Sequence, residues 1–246
     1  MVGALLIPHA GRAHAGKCRK AAFDRIRNPT SYKYIIYLAT IHDNQSDDTI
    51  LLLHRDRYFP GFSRSRKRRD ISLPTIHRES DEHSYAWVSK ELREAFPNAK
   101  HLVLGPQGQP PSLTRWLKSF VHKRPKTLVI GTTDLIHYGP NYHNAGVLRK
   151  FAKPGHKTVR DIKVGIEMPL IKRLTSRNPS IPHILREINA YREHGLSLMC
   201  GPDALIELMK FVKVMGYKGE LCDYYDSGEG SHASSWVSYA SLVFLE

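Results

Sequence analysis

Short apolar runs alternate along this chain with longer stretches whose apolar residues recur at helical spacing. Val2 to Ile7, Tyr32 to Leu38, Thr49 to Leu53, His101 to Leu104 and Thr127 to Ile130 read as strands, and Trp236 to Leu245 alternates well enough to close the chain as another. Continuous apolar runs of this length suit strands covered on both faces. Helical stretches fall between them at Ala15 to Ile26, from about Ser80 to Ala95, Ser112 to His122, Pro182 to Tyr191 and Cys200 to about Val214. The clearest runs from Val159 to Leu174, where Ile162, Ile166, Leu170 and Leu174 share one face. Asn28-Pro29 and Pro97 supply stops, and Pro202 sits near a first helical turn, where a missing N–H costs least. The alternation predicts an α/β protein: a single domain over residues 1–246 with a central, mostly parallel sheet flanked by helices.

Several of these strands end in histidine-bearing turns: Pro8-His9 after the first, His42 after the second, and Asp134 to His137 after the Thr127 run. In open α/β sheets ligand sites gather at the carboxyl ends of strands. Histidine is both the commonest metal ligand and the side chain that titrates nearest neutral pH. Cys200 opens a helix, where the partial positive charge of the helix end favours a thiolate. Two imidazoles and a thiolate would make an open site for iron, copper or zinc, with solvent or substrate completing the sphere. Spacing does not by itself pick His9 and His42 out of 14 histidines, any of which reads equally as a polar loop residue. Cys18, inside a helix pattern, and Cys222, near a late strand, read as small buried hydrophobes.

Charge adds a second theme. The chain carries 37 Lys and Arg against 23 Asp and Glu, a formal net charge of +14, which favours polyanionic neighbours. Arg64, Arg66, Lys67, Arg68 and Arg69 crowd into the stretch 55–78, expected to be a mobile loop suited to phosphate contacts with nucleic acid or to a nuclear address. Charge is the only support for nucleic acid, because no recognised binding motif or aromatic stacking pattern accompanies it. No run approaches the roughly 18 apolar residues of a membrane span, and the opening Met1 to Ile7 is too short and lacks the basic start of a signal peptide. With three sparse cysteines, expected to be reduced, the chain reads as an intracellular, cytoplasmic protein, with the nucleus as a second address.

The motifs, taken in order, resemble a known family. Pro8-His9-Ala10-Gly11 with Gly16, the turn at His42, Glu82-His83-Ser84, Asp134-Leu135-Ile136-His137-Tyr138-Gly139, Cys200-Gly201 and Val237-Ser238-Tyr239-Ala240-Ser241 are similar to the Memo family across nearly the whole chain. That resemblance implies the fold of the class III extradiol, non-haem iron dioxygenases. It implies His9, His42 and Cys200 as metal ligands, with cysteine in place of the carboxylate of the dioxygenases' two-histidine triad. It also implies His137 as the acid/base group, with Asp134 orienting it or approaching the metal, and His83 as a further pocket histidine.

Departures from the family pattern change the pocket wall. Arg12 and His14 stand where tyrosines are usual, so both become pocket candidates, and Tyr85-Ala86-Trp87-Val88 follows His83-Ser84 in place of Ile-Glu and an apolar pair. The expected function is a metal-dependent redox protein without efficient catechol cleavage, holding iron or copper, with zinc as a third choice. Two alternatives stand beside it: a non-catalytic module that binds a phosphopeptide or acidic peptide with Arg12 at its mouth, and a true extradiol dioxygenase acting on a small molecule.

Overall fold

Residue parity along the strands sorts the core into two layers. In β1 (Val2–Ile7) Ala4 and Leu6 join one apolar cluster and Leu5 and Ile7 another, with Val2 falling in the second because the pairing shifts register between Val2 and Ala4. The same division recurs in β2 (Tyr34–Leu38), with Ile36 and Leu38 on one side and Ile35 and Tyr37 on the other, and in β5 (Thr127–Thr132), with Val129 opposed to Leu128 and Ile130. The first layer is covered by α3 (Leu113–Lys123), α4 (Val159–Leu174), α5 (Ile181–Glu193) and α6 (Pro202–Met215). The second is covered by α1 (Arg12–Phe23) and α2 (His83–Ala95). Burying a Leu or Ile side chain in such layers stabilises the fold by about 1.5–3 kcal/mol each.

The computed structural model describes residues 1–42, 49–57, 59–60, 83–110, 112–144, 146–228 and 234–246. Among the described residues, eight strands join one sheet in the order β3-β4-β2-β5-β1-β8, with β6 (His137–Tyr138) and β7 (Lys218–Asp226) both paired to β8 (Trp236–Leu245). The expected parallel sheet forms its centre: β4 (Lys100–Gln107), β2, β5 and β1 are parallel neighbours, registered through Ile35 with His101, Ile35 with Leu128, and Leu5 with Ile130. Antiparallel strands flank it, β3 (Thr49–Arg55) on β4 and β8 on β1.

Several bounds differ from those the pattern predicts. Helix α1 starts at Arg12 instead of Ala15, because Gly11 in extended backbone acts as the cap and its carbonyl accepts the N–H groups of His14 and Ala15. Strand β4 runs past Leu104 through Gly105 and Pro106, because Pro106 pairs with Ile50 of β3 beyond the point where β2 has ended. The short β6 and the half-exposed β7 have weak apolar signals and were not anticipated as strands, though Cys222 does fall on β7. The cluster Arg64, Arg66, Lys67, Arg68 and Arg69 lies outside the described residues. Among the described residues, no helix is long and apolar enough to cross a membrane.

Parallel pairing has a positional consequence. Strands β2, β5 and β1 are consecutive in the sheet and point the same way, so their carboxyl ends meet at one edge. The residues that follow them, His42, Asp134 and His9, are thereby brought to that edge together.

Candidate metal centre

Each turn at this edge is fixed by specific bonds. Past β1, Pro8 and His9 leave the ladder, and the Asp134 carboxylate accepts the backbone N–H of His9 at 2.8 Å and of Ala10 at 3.4 Å. The carbonyls of Pro8 and Ala10, on either side of His9, accept from one guanidinium nitrogen of Arg19 at 3.2 and 2.6 Å. Arg19 is wholly buried and closes a bidentate pair with Glu91 of α2 at 3.0 and 2.6 Å. Past β2, the Thr40 hydroxyl donates to the Thr132 carbonyl, and the Thr40 carbonyl accepts from Ser84. On the other side, Gly201 adopts a left-handed backbone with the Thr40 side chain 2.0 Å from where a Cβ would sit, so Cys200 can approach only because glycine follows it.

These bonds gather the donors. One ligand atom each from His9, His42 and Cys200 lies within 4.8 Å of the others, and the same holds for Asp134, His137 and Cys200. His9 Nε2 is 3.3 Å from Cys200 Sγ and 3.7 Å from an Asp134 carboxylate oxygen. The opposite ring nitrogen, Nδ1, is 3.1 Å from the Thr132 hydroxyl, which itself donates to the Ile7 carbonyl at 2.9 Å. Because that hydroxyl proton is committed, Thr132 accepts from His9 and the proton resides on Nδ1. The Nε2 lone pair therefore faces Cys200, the tautomer a metal ligand needs.

Electrostatics separates the free from the metal-loaded state. Burial, with Asp134 next in effect, pushes the Cys200 thiol well above its ordinary value, so the start of α6 does not by itself produce the thiolate expected from sequence. The acceptors within reach of the Cys200 S–H are His9 Nε2 at 3.3 Å and the Asp134 carbonyl at 3.7 Å. Burial likewise raises the Asp134 carboxyl, against the lowering effect of the His9 N–H bond and of His137. Burial lowers His137 and keeps its imidazole neutral. Its Nε2 is buried without a hydrogen-bond partner among the described residues, an orphaned lone pair or N–H that a ligand at this site would satisfy. Two imidazoles, a buried thiol and an unsatisfied third imidazole form a donor set that fits a borderline or soft transition metal.

The remaining pocket candidates divide. The His83 ring stacks on His42 at 4.1 Å, approaches His9 at 6.3 Å and meets Trp87 at 4.6 Å, so it lies beside the two histidines of the ligand group. Arg12 is exposed on α1 and paired with Glu94 of α2 at 3.4 Å, and His14 is an exposed residue of the same helical turn whose carbonyl accepts from Tyr225. Neither belongs to the ligand groups.

Sequence reasoning missed Arg19, Glu91, Thr132 and Glu167. The first two carry a signal: Arg19 falls among Ala15, Cys18 and Ala22 on the buried face of α1, and Glu91 falls beside Val88 and Leu92 on that of α2. Glu167 lies on the buried face of α4, accepting the Ile136 N–H at 3.0 Å and the Tyr224 hydroxyl at 2.5 Å, and so pins the turn that carries His137. Burial pushes its carboxyl from an ordinary 4.5 up to about 7. Across that interval the folded protein keeps a proton that the unfolded chain has released, so this group makes stability fall as pH rises through it. Glu167→Gln is expected to flatten that decline in urea midpoints measured at the two ends of the window; an unchanged slope would exclude Glu167 as its source.

The sheet order and the helices on both faces define the class: an α/β protein with a mostly parallel central sheet, the architecture in which the Memo family's dioxygenase-like fold falls. Within that class, residues 66–243 match the family described as Memo-like protein, and the chain belongs to that family. The matched span contains His83, Asp134, His137 and Cys200, whereas His9 and His42 precede it. No curated protein matches the chain.

Proposed function

We propose that this chain is a metal-binding redox protein whose ion is held by His9, His42 and Cys200. The observation that carries the reading is the approach of one ligand atom from each of these residues to within 4.8 Å of the other two. Iron or copper bound there, with zinc as the third choice, would supply electron transfer and a Lewis-acidic open position. The chain's own residues do the rest. Thr132 holds the His9 tautomer, Arg19 and Asp134 hold the turn that carries it, and the exposed His42 leaves the site open on one side to an entering group. His137, kept neutral by burial, takes up a proton at its ring from a group entering the site. The Asp134 carboxylate lies 3.7 Å from His9 Nε2 and within 4.8 Å of a His137 ring nitrogen, near enough to steady both rings electrostatically.

The peptide-binding alternative depends on Arg12 as an anchoring cation, and Arg12 is already paired with Glu94. The extradiol alternative requires ring cleavage at a site where a thiolate replaces a carboxylate, which makes the metal more electron-rich and is expected to disfavour that chemistry. The test is metal analysis of protein purified without chelators, with oxygen uptake across a panel of catechols. About one equivalent of iron or copper in the wild type, lost in the triple variant His9→Ala, His42→Ala and Cys200→Ala, with little ring cleavage, is the expected result. Equal metal content in both proteins would sink the site, and robust cleavage abolished by His137→Ala would establish an extradiol enzyme instead.

A further inference from the structure

The opposite edge of the sheet carries a second, basic site. Parallel strands β2, β4 and β5 begin there, and the residues at their starts are Lys33, Lys100 and Lys126. Backbone bonds hold the three side by side: Lys33 N–H donates to the Lys126 carbonyl at 2.8 Å, and Lys100 N–H to the Lys33 carbonyl at 2.9 Å. All three side chains are exposed, and they line a hollow of about 410 Å³ together with Thr30, Ser31 and Asn98. No carboxylate lines it among the described residues. The stretches that build it are free of acid: residues 25–42 contain no Asp or Glu, and neither do residues 95–133, which also supply Arg115, Lys118, Lys123 and Arg124.

We propose that this hollow binds a small ligand carrying clustered phosphate groups. Three like charges fixed on adjacent strands repel one another, and a polyanion seated among them relieves that repulsion. A concavity lined by one sign of charge also focuses the field and concentrates counter-ions. Thr30 and Ser31 donate their hydroxyl protons to Asn28, so the polar character of the hollow comes from the charge of the lysine ammonium groups, each with three N–H donors, and from the Asn98 amide. This inventory suits phosphate oxygens, which lysine contacts as a point charge. The volume lies within the range of small-molecule sites. The aromatic residues beside the hollow, Tyr32 and Tyr34, are buried or half-buried and offer no exposed face for stacking a nucleobase, which favours a compact oligophosphate over single-stranded nucleic acid. Strand β5 separates this edge from the metal centre by on the order of 20 Å, so the two sites are distinct.

Calorimetric titration of the full chain with inorganic tripolyphosphate at fixed ionic strength tests the assignment. One saturable site is expected, weakened about tenfold or more in the triple variant Lys33→Ala, Lys100→Ala and Lys126→Ala. A control variant, Lys17→Ala, Lys153→Ala and Lys172→Ala, loses the same charge from exposed positions elsewhere and should retain the affinity. Absence of saturable binding, equal weakening in both variants, or tighter binding of a single-stranded oligonucleotide at equal phosphate concentration would overturn the proposal. Should the triple variant fail to fold, Lys126→Glu alone is expected to abolish binding, and its failure to do so would overturn the proposal equally.

Discussion

Replacing Glu91 with alanine is expected to lower the melting temperature by roughly 6–20 °C. Glu91 is the bidentate partner of Arg19, whose side chain is entirely buried at the turn that carries His9. Removing one member of a buried pair leaves the other charge uncompensated, at a cost of about 3–5 kcal/mol. For a chain of this size each kcal/mol shifts the midpoint by roughly 2–4 °C. The neighbouring pair Arg12–Glu94 joins the same two helices but is exposed, so Arg12→Ala should change stability by less than about 1 kcal/mol. A thermal melt of the two variants side by side makes the comparison, and equal shifts would refute a special role for the buried pair. The double replacement Arg19→Met with Glu91→Leu is expected to recover much of the stability, because an apolar pair of similar volume needs no compensation. It should not recover metal affinity, since the carbonyls of Pro8 and Ala10 lose the guanidinium that fixes their turn.

The parts of this fold most legible in sequence are those where several local signals agree. Helix α4 and strand β8 occupy the expected bounds, Val159–Leu174 and Trp236–Leu245. In α4 the apolar stripe is framed by a capping box between Thr158 and Asp161. Element ends are less legible where the deciding partner is remote: β4 continues past Gly105 only because β3 pairs with it there, and β7 exists as a strand because β8 supplies its ladder. The candidate site follows the same rule. The candidate ligands His9, His42 and Cys200 were suggested by their places at strand ends and a helix start and by resemblance, and the fold brings one donor atom of each within 4.8 Å of the others. What holds them was not legible, since Thr132 and Arg19 reveal their roles only through contacts across the fold. Arg12 and His14 illustrate the converse, where standing at positions usually held by tyrosines in the resembled family suggested the pocket but the first turn of α1 sends them to the surface.

Cys200→Ser should reduce affinity for copper(I) by more than about 100-fold, which exceeds the 10–100-fold typical of losing an outer-shell partner. The thiolate is the one soft ligand among His9, His42 and Cys200, so the loss for a hard ion such as manganese(II) should be much smaller. Serine keeps the size of the side chain and its place ahead of Gly201, which separates the donor's softness from the packing of the turn. Burial also makes the proton a competitor: the Cys200 thiol is protonated in the free protein and must release its proton to an arriving ion. Copper affinity in the wild type should therefore rise with pH across the neutral range, and the slope should diminish in Cys200→Ser, where the hydroxyl is a poor substitute at any of these values. Competition against a copper(I) chelator of known affinity, repeated at several pH values, reads both effects at once. Equal affinities in the two proteins, or identical pH slopes, would remove Cys200 from the coordination sphere and leave Asp134, His137 and the two histidines as a site of harder character.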